Sequence, residues 1–100
     1  SIVVLGDTSV TDVVLEDWSI AMTIMQLEAE TLGLGSCWIQ IRNRMAQGEE
    51  QMSSAFIKEL LHISESYEVL AVLALGVPDE EKPGRTLEAL QYAKVHNEVF

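Results

Sequence analysis

One cysteine, two prolines, six aromatic residues and six basic residues are all that the 100 positions hold of these types. The lone Cys37 cannot close an intrachain disulfide, so nothing here asks for an oxidising compartment. No apolar run approaches the roughly 18 residues of a membrane-spanning helix. The opening Ser1–Gly6 has neither a basic flank nor an apolar core long enough for a secretory signal. A cytoplasmic protein with no membrane association is therefore expected. The six bases face sixteen acids, for a formal net charge of −10. Such a surface repels phosphodiester backbones and anionic lipid alike, which disfavours nucleic acid and membranes as partners. Charged residues make up only 22% of the chain against 48% apolar, and that balance rules out a disordered acidic tail. The length suits one small domain. A strand-like start at Ser1 with no initiator Met is what a fragment or a processed product would show.

The apolar residues that are present fall into six segments. Ile2–Leu5, closed by Gly6–Asp7, reads as a strand buried on both faces. From Val14 to Leu32 the spacing becomes helical, with Leu15, Trp18, Met22, Met25, Ala29 and Leu32 on one stripe. Ile20, Ile24 and Leu27 form a second, narrower stripe. An ordinary surface helix buries only one side, so two stripes predict a helix held between its own sheet and a second subunit. Gly33 and Gly35 end it, one of them in the left-handed position past the cap. Ser36–Ile41 reads as a second strand, and Glu49–Leu61 as a helix with Met52, Phe56 and Leu60 on one face and two glutamates in its first turn. The seven apolar residues of Val69–Leu75 predict a central strand. Thr86 is placed to cap a short C-terminal helix over Leu87, Leu90, Tyr92 and Ala93. Alternating strands and helices predict an α+β fold, an α/β sandwich. Three strands are few for such a sheet, so something further is expected to pair with it.

Few residues carry an obvious chemistry. Gly33-x-Gly35 leads from a helix into a strand, the reverse of a phosphate-binding glycine loop, and reads as a helix stop. Cys37 has no histidine near it in sequence and reads as a buried, inert thiol. His62 and His96 lack metal-ligand spacing, and no nucleophile, base and acid series stands out. The cations stand out because they are scarce. Arg42 and Arg44 follow a strand end, where ligand-binding residues often sit. Lys82 and Arg85 bracket Pro83–Gly84 and suit either a phosphate or plain solvation.

Four stretches in order resemble the C-terminal half of the nitroreductase family of FMN-dependent flavoproteins. They are the strand ending Val4–Asp7, the helix running into Leu32-Gly33-Leu34-Gly35-Ser36-Cys37-Trp38-Ile39, the strand Val69–Pro78 with its Gly-x-Pro turn, and Glu81-Lys82-Pro83 through Tyr92, Lys94, Val95 and His96. The last of these, with Trp38-Ile39-Gln40-Ile41-Arg42-Asn43-Arg44, is similar to a small-nitroreductase branch. The resemblance implies a mixed sheet flanked by helices, with only the C-terminal half present. Residues 1–100 would form that half, and 79–100 an extended tail packing on a partner subunit. It further implies FMN as cofactor, with backbone groups of Trp38, Ile39, Gln40 and Ile41 along the flavin ring and Lys82 and Arg85 at its phosphate. No side chain is implied as an acid–base catalyst.

The implied activity is hydride transfer from NADH or NADPH to flavin, then electron transfer to a nitroaromatic, quinone or related small acceptor. The implied assembly is a homodimer through the helix 14–32. Two alternatives stay open at this level: a non-catalytic acidic association domain, and a flavoprotein of the same fold with other chemistry, such as dehalogenation or flavin destruction.

Overall fold

The computed structural model describes residues 1–48 and 50–99. Its main elements follow one another as β1 (Ile2–Asp7), α1 (Val14–Thr31), β2 (Gly35–Gln40), α2 (Ser53–Leu61) and β3 (Tyr67–Gly76). β3 lies between β1 and β2, and both run antiparallel to it. The α+β class and the central place of the 69–75 run are as expected. Val69, Leu70, Ala71 and Leu73 of that strand are buried. β1 departs from expectation: it is an edge strand, and only Val4 of its six residues is buried. A run of β-branched residues signals a strand without saying how many faces are covered.

Register sorts the side chains by face. Ile2, Leu73 and Trp38 align across the three strands, as do Val4, Ala71 and Gln40. Paired positions share a face, and Val4, Ala71, Leu73 and Trp38 pack with Val14, Trp18, Met22 and Met25 of α1 in one cluster. Val3, Val72 and Ile39 align on the opposite face, with Ala74 beside Cys37, and none of these five is buried.

One irregularity breaks the ladder. β1 pairs Val4 with Ala71 and then Leu5 with Val69, so Leu70 is an extra residue on β3. A bulge of this kind bends the strand and increases its local twist. The Leu70 carbonyl accepts from the N–H groups of both Ile41 and Arg42, at 3.1 and 2.9 Å. The ladder to β2 stops there.

α1 covers the sheet through Val14, Trp18, Met22 and Ala29. Trp18 lies directly over Gly6, where an added Cβ would overlap the indole Nε1, Cε2 and Cζ2 atoms. Glycine is therefore a packing requirement at position 6. The helix ends as its glycines suggest. Gly33 takes φ +71°, its N–H donates to the Glu30 carbonyl at 3.1 Å, and the Leu34 N–H donates to the Ala29 carbonyl at 2.9 Å. Those two bonds make a Schellman motif. Leu15 and Leu32, expected on the buried stripe, are exposed. The second stripe is open too, with Ile20 and Ile24 each 60% and Leu27 64% exposed.

α2 does not turn its apolar stripe to the sheet. Met52, Phe56 and Leu60 are exposed, and the buried positions are Ser54 and Lys58. Serine is small enough for close approach to β3, and its Oγ accepts from the Val69 N–H at 3.3 Å. Lys58 covers the contact with its methylene stem and carries its ammonium out to Glu65 Oε2 at 3.2 Å. Glu50 precedes the helix and no acid stands in its first turn; Glu49 lies outside the described residues. The C-terminal helix is corrected as well. Leu87–Ala89 and Tyr92–Lys94 are short 3-10 turns, and Thr86 makes no side-chain cap. Neither turn packs on a helix or strand of the body, so no tertiary burial offsets the cost of nucleating a helix.

Gly6→Ala is expected to destabilise the fold by about 1–3 kcal/mol through overpacking against Trp18. A urea unfolding midpoint equal to that of the parent protein would refute the contact's importance.

Candidate functional site

β2 presents a main-chain edge whose direction follows from one hydrogen bond. The Ile41 N–H points at β3, donating to the Leu70 carbonyl. Along a strand, successive N–H groups point to opposite sides. The N–H groups of Trp38 and Gln40 therefore point away from β3, to the outer edge, which no strand pairs among the described residues. These are two donors of fixed direction about 7 Å apart, two strand residues along the chain.

Their side chains are locked on the α1 side. The Trp38 indole Nε1–H donates to Gln40 Oε1 at 2.9 Å, and Gln40 Nε2 donates to the Arg42 carbonyl at 2.9 Å. This relay ties the strand to the turn that follows it. Trp38 is half-buried against the core and Ile41 is buried, whereas Ile39 is exposed on the opposite face. Of the four ring-lining candidates, Trp38 and Gln40 thus offer backbone outward, and Ile39 offers a side chain to the open face.

Arg42-Asn43-Arg44 is held at both ends. Arg42 N–H is bound to Leu70, the Arg44 N–H donates to the Ile41 carbonyl at 3.2 Å, and the Arg44 carbonyl accepts from the Ser53 N–H at 2.8 Å. Asn43 sits at φ 57°, a conformation Asn tolerates better than most residues. Arg44 Nη1 folds back onto the Asn43 carbonyl at 3.1 Å.

Lys82 and Arg85 lie elsewhere. Lys82 contributes to a cavity of about 720 Å³ at the opposite end of β2, walled by Gly33–Ser36 and by Pro78–Lys82. From Gly35 to Gln40 the strand alone spans about 17 Å. Arg85 does not line this cavity. Its wall also holds Glu30, Asp79, Glu80 and Glu81, and Lys82 is already paired with Glu80 at 3.1 Å. An anion at Lys82 meets the competing charge of Glu80. The structure brings Trp38, Ile39, Gln40 and Ile41 together on one edge and leaves Lys82 and Arg85 apart from it.

Cys37 corrects the buried-thiol expectation: it is exposed, on the uncovered face of β2. The alternation of a strand assigns it a face but does not say which face is covered. No cluster of three or more His, Cys, Asp or Glu suited to a metal occurs among the described residues. No described helix is long and apolar enough to cross a membrane. The clamp of Leu70 and Ser53 on the arginine turn was missed at the level of sequence. Its one legible signal is Asn between two arginines after a strand.

The model of the nitroreductase family matches residues 5–77. A protein of Archaeoglobus fulgidus, provisionally named an NADH dehydrogenase/NAD(P)H nitroreductase, is 38% identical over 71 residues, which are 71% of this chain and 37% of that protein. An FMN-dependent nitroreductase from Clostridium difficile R20291 superposes with a TM-score of 0.92 at 42% identity, over 98% of this chain and 56% of the other. A structure from Parabacteroides distasonis superposes at 0.80 with 21% identity, a likeness of fold. The chain thus spans about half the length of these relatives, or less.

Cys37 is expected to react with a thiol reagent such as dithionitrobenzoate at the rate of an accessible thiol, without denaturant. Reaction only after unfolding would place it inside the fold.

Proposed function

Because the chain belongs to the nitroreductase family, we propose that it forms the C-terminal half of an FMN-dependent NAD(P)H oxidoreductase. The observation that carries this reading is the outer edge of β2, where Trp38 and Gln40 hold two main-chain donors outward on a strand braced by the Trp38–Gln40–Arg42 relay. FMN supplies the chemistry when bound, taking a hydride from NADH or NADPH and passing electrons to a nitroaromatic, quinone or related acceptor. The edge of Trp38, Ile39, Gln40 and Ile41 lies along the ring, and an N–H there favours negative charge on the reduced ring. Lys82 and Arg85 serve the phosphate, with Lys82 released from Glu80 as the anion arrives. The protein is cytoplasmic in this reading.

The same reading makes the protein a homodimer through α1. Ile20, Ile24 and Leu27 present an apolar stripe to solvent. Beside it the Ser19 and Thr23 hydroxyls donate to the carbonyls of Leu15 and Ser19, each at 2.8 Å. With their hydroxyls satisfied on their own helix, these two residues put no unmet donor into a contact. The tail, residues 79–100, packs on the partner, and its described residues are exposed.

Titrating FMN into the protein and following flavin fluorescence tests the cofactor. Saturable quenching is expected, and Arg85→Ala is expected to weaken binding by about 1–3 kcal/mol. A colourless protein indifferent to FMN would leave the association domain as the better account. Ile24→Asp is expected to convert the dimer to a monomer in sedimentation velocity, and an unchanged sedimentation coefficient would clear α1 of that role.

A further inference from the structure

The six basic residues divide by whether a described carboxylate holds them. Lys58 is paired with Glu65, and Lys82 with Glu80. Arg42 and Arg44 have no carboxylate within ion-pair distance among the described residues, in a chain that carries sixteen acids. Their backbone is anchored, on a turn fixed to β3 through Leu70 and to the start of α2 through Ser53, and Arg44 Nη1 holds only the Asn43 carbonyl. Arg85 and Lys94, by contrast, lie in the exposed tail. A guanidinium presents a fork of donors that suits phosphate oxygens, and carrying two of them on a fixed turn lowers the entropy lost on binding.

The turn is too far from Lys82 to share one phosphate with it. β2 separates them, with the cavity wall at its Gly35 end and the arginines beyond Gln40. If the flavin phosphate is held at the Lys82 end and the ring lies at Trp38–Ile41, the arginines stand past the ring, on the side left for a second phosphorylated ligand. Resting on the flavin reading above, we propose that Arg42 and Arg44 bind the phosphate groups of the dinucleotide hydride donor and so set its affinity.

The test uses the intact, flavin-loaded protein, with Arg42→Gln and Arg44→Gln made singly and together and Lys94→Gln as a control for lost charge. Three readouts are taken: the dissociation constant for FMN, the dissociation constants for NADP⁺ and NAD⁺, and KM for NADPH and NADH. The double variant is expected to keep its FMN affinity and to lose about tenfold or more in dinucleotide affinity and KM, as expected for lost charge-assisted bonds. Loss confined to NADP⁺ and NADPH assigns the turn to the 2′-phosphate, and equal loss for both pairs assigns it to the pyrophosphate. Full FMN affinity with unchanged dinucleotide affinity overturns the assignment alone. Weakened FMN affinity overturns it in favour of a flavin-phosphate contact. A parent protein that binds no FMN overturns the functional reading and this inference with it.

Discussion

The extra residue at Leu70 governs more of this structure than any other local feature. Had β3 run without a bulge, its pairing with β1 would keep one register from Ile2 to Asp7. The register instead shifts between Val4 and Leu5, and the Leu70 carbonyl receives two N–H groups from the chain leaving β2. That pair of bonds ends the second strand at Gln40 and turns the chain through Arg42-Asn43-Arg44. Because side chains alternate with a period of two, the registers on either side of the bulge also decide which residues meet α1. Trp38 and Gln40 face the helix and Cys37 and Ile39 do not, so the donors at the free edge belong to residues whose side chains are already tied down.

Around this sheet the burial is lopsided. Among the described residues ten apolar ones are buried, seven of them in the cluster between α1 and one sheet face, while three other apolar surfaces are left open. These are the Ile20–Ile24–Leu27 stripe, the Met52–Phe56–Leu60 face of α2 and the Val3–Val72–Ile39 face of the sheet. Fully burying one large aliphatic side chain contributes about 1.5–3 kcal/mol, and these side chains are already partly covered, so covering one such surface would add a few kcal/mol, a large share of the stability of a small domain. The relatives are up to about twice as long as this chain.

What the sequence disclosed follows the same division. The central strand was legible because seven apolar residues in a row, bounded by turn residues, mark a strand in the interior of a sheet. The end of α1 was legible because glycine takes the left-handed conformation without strain, and Gly33 does so. The buried side of α2 was not. A stripe at helical spacing shows that a helix is amphipathic, but Ser54 and Lys58 won the contact with β3 by fit and by a hydrogen bond. Periodicity registers neither. The bulge was hidden for a related reason: in Val69–Leu75 every position is apolar, so no alternation marks where one residue is extra. The edge Trp38–Ile41 entered through family likeness, and only the register showed that its backbone and its side chains point different ways.

Charge supplies the last step. A protein of net charge −10 repels anions over its surface as a whole, so binding a phosphorylated molecule requires local reversals of that field. The two such places in this chain are built differently. At the Lys82 end the cation starts in an ion pair amid four carboxylates, and an incoming phosphate must compete with Glu80 for it. At the arginine turn no carboxylate stands within ion-pair distance among the described residues, and the backbone has already been fixed by Leu70 and Ser53. A ligand that stays bound can bear a displacement made once on loading. One that enters and leaves with every turnover is better served by cations that surrender only a hydrogen bond to a neighbouring carbonyl, as Arg44 does with Asn43, and that contrast is the physical basis for proposing a resident cofactor at one end of β2 and an exchanging donor at the other.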